Sequence, residues 1–247
     1  MPSFEVEQLQ ELLSRRLRES DACLLDAPEH RAEKNVHLAV GGIKETRKAI
    51  SLLHGLDRND ETGSWLDRSD MFFKELSLIG EPTPPDSSLE LLPIAVFSGY
   101  RSLLAELLRL DNTAPVDGGG GRPLTKASSP WYLSVKAMVD LATGGPVVKV
   151  LEQWSQTTAA LPSDERLLAA KRSLTAAIVE GSEAMIVLAA EEANALRLEG
   201  LRNEPFPFEL VDQWNTALLV IAKRSGLAVP MDLPTLPVHI ARPEWRD

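Results

Sequence analysis

Three of the chain's four histidines fall in one stretch, HRAEKNVHLAVGGIKETRKAISLLH, from His30 to His54. Two groupings within it have the residue types and spacing of chemical sites. His30, Glu33 and His37 are three and four positions apart. A helix puts them on one face, where two imidazoles and a carboxylate make a metal-ligand set. Arg47 and His54 are seven apart and share a helix face of their own. Their chemistry is proton transfer beside a phosphate, with imidazole moving the proton and guanidinium steadying the charge.

Arg47, followed by six residues and His54, resembles one motif spacing of the HEPN ribonucleases, helical domains that pair such residues across a dimer. The resemblance covers eight residues, 47–54. It implies metal-independent RNA cleavage, with His54 moving a proton during attack by the ribose 2′-hydroxyl and Arg47 holding the phosphate. Two features pull the other way. Lys48 stands where that family often has a small polar or acidic residue. The net charge of −10 also repels a phosphate backbone. In the alternative reading, His54 precedes Gly55 at a helix end and complements the negative end of the helix dipole.

Both groupings depend on the helix that carries them. At about 100° per residue, Ala32, Val36, Ala39, Ile43, Ile50 and Leu53 fall on one side. His30, Glu33 and His37 fall opposite, with Lys34, Lys44 and Lys48. A metal centre inside a helical bundle needs inward-facing ligands, so this triplet is expected to be solvated surface. No metal and no cofactor are expected. Arg47 and His54 flank the apolar stripe. Gly41 and Gly42 lie between the two groupings, and a kink there would change the register.

Helical periodicity continues along the chain. Val6, Leu9, Leu13 and Leu17 stripe a first helix, and Pro28 is placed to open the second. A third runs from Trp65 to Ile79. A fourth reaches Leu110, with Pro93 either delaying its start or kinking it. The glycine-rich run GGGGRPLTK lacks the Gly-Lys-Ser/Thr ending of a phosphate loop and reads as a connector. Trp131 to Ala142 predicts a fifth helix, and Pro146 opens a sixth. The longest helical stretch follows Ser163 and reaches about Gly200. Its expected core stripe is Leu167, Leu174, Ile178, Met185, Leu188 and Leu196, with a bend or break at Gly181-Ser182. Phe208 to Ser225 is the last helix.

The fold class is therefore all-α, a multi-helix bundle of seven to eight helices with an extended proline-rich C-terminal tail. Residues 1–226 are expected to form one helical domain with a candidate hinge at 112–130; a split near residue 120 is the two-part alternative. The tail is 227–247. Its apolar residues Leu233, Leu236, Val238, Ile240 and Trp245 are expected either to pack along the bundle or to dock a partner, and they are the candidate partner-binding residues.

The single cysteine, Cys23, excludes an intrachain disulfide and suits a reducing compartment. The opening MPSFEVEQLQ lacks an apolar signal core. The longest apolar runs, Ala184 to Ala190 and Ala217 to Ala222, are too short to span a bilayer. These features predict a soluble, cytoplasmic protein that works without membrane or nucleic acid. The function expected is that of a non-enzymatic helical interaction component, an assembly, adaptor or regulatory subunit, with a protein partner or self-association.

Overall fold

A computed structural model describes residues 4–29, 36–79, 87–110, 117–118, 122–123, 129–157 and 162–246. The described residues form ten α-helices. These are α1 (Val6–Glu29), α2 (Val36–Gly55), α3 (Thr62–Ile79), α4 (Ser87–Ser98) and α5 (Ser102–Leu110), then α6 (Pro130–Thr143), α7 (Val147–Ser155), α8 (Pro162–Glu180), α9 (Glu183–Asn203) and α10 (Gln213–Arg224). Their only sheet pairing is two residues on each side, Asp117 opposite Pro123 and Gly118 opposite Arg122.

The expected seven or eight helices become ten because two of the long stretches are each broken at a glycine. The stretch expected to run to Leu110 ends at Ser98, and Gly99 follows with φ 87°. The helix expected from Ser163 to about Gly200 breaks at Gly181, with φ 68°, at the position expected. Residues with a side chain rarely adopt such angles, so each glycine ends its helix cleanly. Pro28 lies in the last turn of α1 and does not open α2, which starts at Val36. Pro93 sits inside α4.

Three helices form the centre. In α4, Leu91, Leu92 and every residue from Ile94 to Phe97 are fully buried. A helix that is apolar all round belongs inside a domain, surrounded by others. The run Ala217 to Ala222 in α10 is buried in the same way. The third central helix, α2, buries Ile43, Ile50 and Leu53 as expected, together with Val40, Ala49 and Leu52. One apolar core joins residues from Val36 to Ile240, on both sides of residue 120. A smaller cluster locks α1, α2 and α3 through Leu9, Leu52 and Trp65. Another joins α6, α7 and α8 through Leu133, Trp154 and Leu168. No described helix is long and apolar enough to cross a membrane.

After α10 the chain turns back across the bundle as a strap, residues 227–246. It contains one short 3-10 turn, Val238–Ile240. Leu236, Val238 and Ile240 are buried in the main core, and Leu233 and Trp245 pack partly against it. These are the five candidate partner-binding residues, expected either to pack along the bundle or to dock a partner. The chain's own core takes up Leu236, Val238 and Ile240, as burial of large aliphatic groups favours, while Leu233 and Trp245 stay partly accessible. The strap's backbone is also tied down. Arg242 N donates to Phe97 O at 3.0 Å, and Arg246 N to Gly99 O at 2.8 Å. A Cβ on Gly99 would meet the Glu244 carbonyl oxygen at 2.7 Å. Glycine thus ends α4 and admits the strap at the same point.

Charged groups clamp the strap further. Arg242 and Arg246 both pair with the buried Asp70 of α3, at 2.9 and 2.6 Å. Arg242 also pairs with Asp67. Arg224 of α10 donates to Val96 O at 2.7 Å and to Arg242 O at 2.6 Å, and its guanidinium lies 4.3 Å from the Trp245 ring centroid.

Candidate functional site

Of the two groupings found in the sequence, the structure describes His37, Arg47 and His54. His30 and Glu33 of the metal triplet lie outside the described residues, and His37 is exposed on α2. Among the described residues, no cluster of three or more His, Cys, Asp or Glu side chains is placed to hold a metal ion. Helix α2 runs unbroken through Gly41 and Gly42, so Arg47 and His54 keep a common register.

His54 is engaged at both ring nitrogens. Nε2 donates to the Pro234 carbonyl at 2.7 Å, which ties α2 to the strap. Nδ1 lies 3.2 Å from the side-chain oxygen of Asn59. The nearby His239 on the strap has its pKa lowered from 6.5, first by burial and then by His54 and Lys223, while Asp232 and Asp57 act in the raising direction. The folded state therefore prefers neutral His239. Its contribution to stability is full above the unfolded value of about 6.5 and is lost as pH falls toward the lower folded value. Strap protection against limited proteolysis is expected to weaken from pH 7.5 to 5.5. His239→Gln should flatten that dependence; an unchanged pH profile in the variant would assign it to other groups.

Arg47 serves a different place. Its guanidinium lies 3.6 Å from Glu90 of α4, and Lys44 approaches the same carboxylate at 3.3 Å. Arg47 lines a cleft of about 340 Å³ to which α2, α4, α6, α8, α9 and α10 all contribute, and His54 is not part of its lining. At the cleft, Lys171 of α8 is buried beside two indoles. Its ammonium is 4.5 Å from the ring centroid of Trp131 and 5.1 Å from that of Trp214. A cation over an indole face is favoured electrostatically. Arg197 of α9 closes another side, donating to Glu209 O at 2.9 Å and pairing with the Glu209 carboxylate at 3.0 Å. Asp212 caps α10 by accepting from Asn215 N at 3.2 Å.

Gln213 is the most deeply buried polar group of the lining, 5% exposed. Its Nε2 donates to the Arg47 carbonyl at 2.7 Å, while its Oε1 accepts no hydrogen bond. A second space, of about 520 Å³, opens between α3 and α5. It is walled by Phe73, Leu78, Tyr100 and Leu103 and offers fewer charged groups. Burial and the neighbouring Asp70 hold the Tyr100 hydroxyl above its ordinary value.

Sequence reasoning singled out Arg47 but not its neighbours in the cleft. Trp131 and Trp214 are two of five tryptophans spread one per element, and a buried lysine has no local sequence mark. The signal is the convergence of several helices, which needs the fold. Comparison with protein-family models, curated proteins and solved structures finds no match to this chain.

Proposed function

We propose that the protein is a non-enzymatic helical interaction component, an assembly, adaptor or regulatory subunit, whose contact surface includes the outer face of α9. The observation that carries this reading is the exposure of Met185 (50%), Val187 (36%) and Leu188 (58%). The opposite side of the helix, with Ile186, Ala189, Ala190 and Ala193, is packed. Large aliphatic groups clustered in water are costly, and such patches mark protein contacts. Glu191 and Glu192 follow on the next turn and are exposed. The partner that fits is a different protein presenting apolar side chains flanked by lysine or arginine. The chain's net charge of −10 disfavours a second copy in that role.

The state of His54 supports binding over catalysis. A general base must reach a substrate proton. Here Nε2 is spent on the Pro234 carbonyl, and Nδ1 faces the Asn59 side chain at 3.2 Å.

The test is affinity purification from the native source, with the parent and a Met185→Glu, Leu188→Glu variant compared by quantitative mass spectrometry. Loss of a basic partner from the variant, with an unchanged melting curve, is the expected result. An identical partner set from both proteins would remove α9 from the contact surface.

A further inference from the structure

The strap runs beside α9, tied to it at either end of an exposed apolar strip. We infer, resting on the reading of α9 as a contact surface, that the strap completes that surface, and that a basic amphipathic segment of another protein binds α9 and the strap together.

The ties fix where the strap lies. Ala228 N donates to Glu183 Oε1 at 3.0 Å. Further on, Thr235 N and Thr235 Oγ1 both donate to Asn194 Oδ1, at 3.0 and 2.9 Å. Asn194 and Thr235 are buried, so this second tie is shielded from water. The order of the ties along the strap matches their order along α9, so the two run side by side in one direction. Glu183, Val187 and Asn194 are four and seven positions apart, which puts them on one flank of the helix. Val187 therefore falls between the ties on the helix, and Met231 falls between them on the strap. Both are exposed, at 36% and 38%. Met185 and Leu188 carry the apolar strip over the outer face of α9. A contiguous patch of this kind marks a contact site.

Charge selects the occupant. Glu191 and Glu192 on α9 and Asp232 on the strap are exposed carboxylates next to these apolar groups. Against them stands Lys223, whose ammonium lies 3.9 Å from the Met231 sulfur. The balance is acidic. It complements a segment with lysine or arginine beside its apolar side chains, and disfavours a second copy of a chain with net charge −10. Met185 and Met231 suit such a strip, because an unbranched thioether adapts to what covers it. A partner that touches both elements favours the closed strap, and the closed strap favours the partner to the same degree.

The test uses the full chain and, as probe, a fluorescein-labelled amphipathic peptide of leucine and lysine, about 18 residues long. A control peptide with serine in place of leucine carries the same charge. The leucine peptide is expected to bind with Kd below about 100 μM, and the serine peptide at least about tenfold more weakly. Leu188→Ser and Met231→Ser leave the net charge unchanged and replace exposed side chains. Each is expected to keep the parent's melting curve and to weaken binding about fivefold or more. Saturating leucine peptide should also slow proteolytic cleavage of the strap at least about threefold. If Leu188→Ser weakens binding and Met231→Ser does not, or if strap cleavage is indifferent to the peptide, the inference is overturned and α9 stands as the contact surface by itself. Equal binding of the two peptides, or none at about 1 mM, overturns it too. So does a dimer of this chain that either substitution dissociates. Unchanged binding in both variants would sink the α9 reading along with it.

Discussion

Gly42→Ala is expected to destabilise the fold by about 3 kcal/mol, whereas Gly41→Ala, one residue away, should be neutral or slightly stabilising. A Cβ on Gly42 would lie 2.1 Å from Cζ of Phe72 and 2.3 Å from both Cε atoms. The tip of the ring is lodged against the bare backbone of α2. Phe72 is fully buried, so the ring has no room to retreat. The helices α2 and α3 must move apart, which opens packing elsewhere. A Cβ on Gly41 meets only the Cys23 sulfur, at 3.6 Å, an ordinary contact. There the alanine brings its better helix propensity, about 1 kcal/mol over glycine. For a chain of this length, each 1 kcal/mol moves the melting temperature by about 2–4 °C. The two variants should therefore differ clearly in a thermal melt. Coincident melts would mean that Phe72 is not lodged on α2.

Ending the chain at Gly226 is expected to have the larger effect and to abolish cooperative unfolding. The cut removes Leu236, Val238 and Ile240, each no more than 3% exposed. Burying such side chains contributes about 1.5–3 kcal/mol each, so roughly 5–9 kcal/mol is lost. Whole domains are stable by only about 5–15 kcal/mol. The cut also strands Asp70 in α3 without Arg242 and Arg246, and leaves Arg224 without its Trp245 and Arg242 partners. A buried carboxylate stripped of its cations adds a further penalty. The shortened protein should lack a sharp melting transition and expose apolar surface to a hydrophobic dye. A sharp transition within a few degrees of the parent would show the strap to be peripheral.

The helices themselves were legible because apolar spacing is a local property. Ile43, Ile50 and Leu53 are inward as their spacing predicts. Legibility failed where a distant segment decides the local structure. Gly99 ends α4 beside a strap more than 140 residues further on, and Arg246 N donates to its carbonyl. The stripe expected to pass through Met185 and Leu188 is exposed there, while Ile186, Ala189 and Ala190 are buried. The break at Gly181 resets the helical phase, so the stripe cannot be carried from α8 into α9. In α8 itself Leu168 is buried and its neighbour Leu167 is 36% exposed, a choice between adjacent leucines that only packing makes. Gly41 and Gly42 look equivalent in the sequence. Only the position of Phe72 tells them apart. The cleft was the least legible feature, because Lys171, Trp131 and Trp214 come from three helices and meet only in the fold.

The strap also sets an order of events during synthesis. His54 reaches Pro234 across 180 positions, and Thr62 reaches Ile240 across 178. Every described helix is synthesised before the residues that complete the central core. Until then α2, α4 and α10 have an open apolar side and must wait for closure. A chain halted after α10 would have all ten helices in sequence and still display that unfilled side. Completion of the core thus reports that translation has passed Ile240, and an interrupted product is marked for chaperones or proteases by its own missing segment.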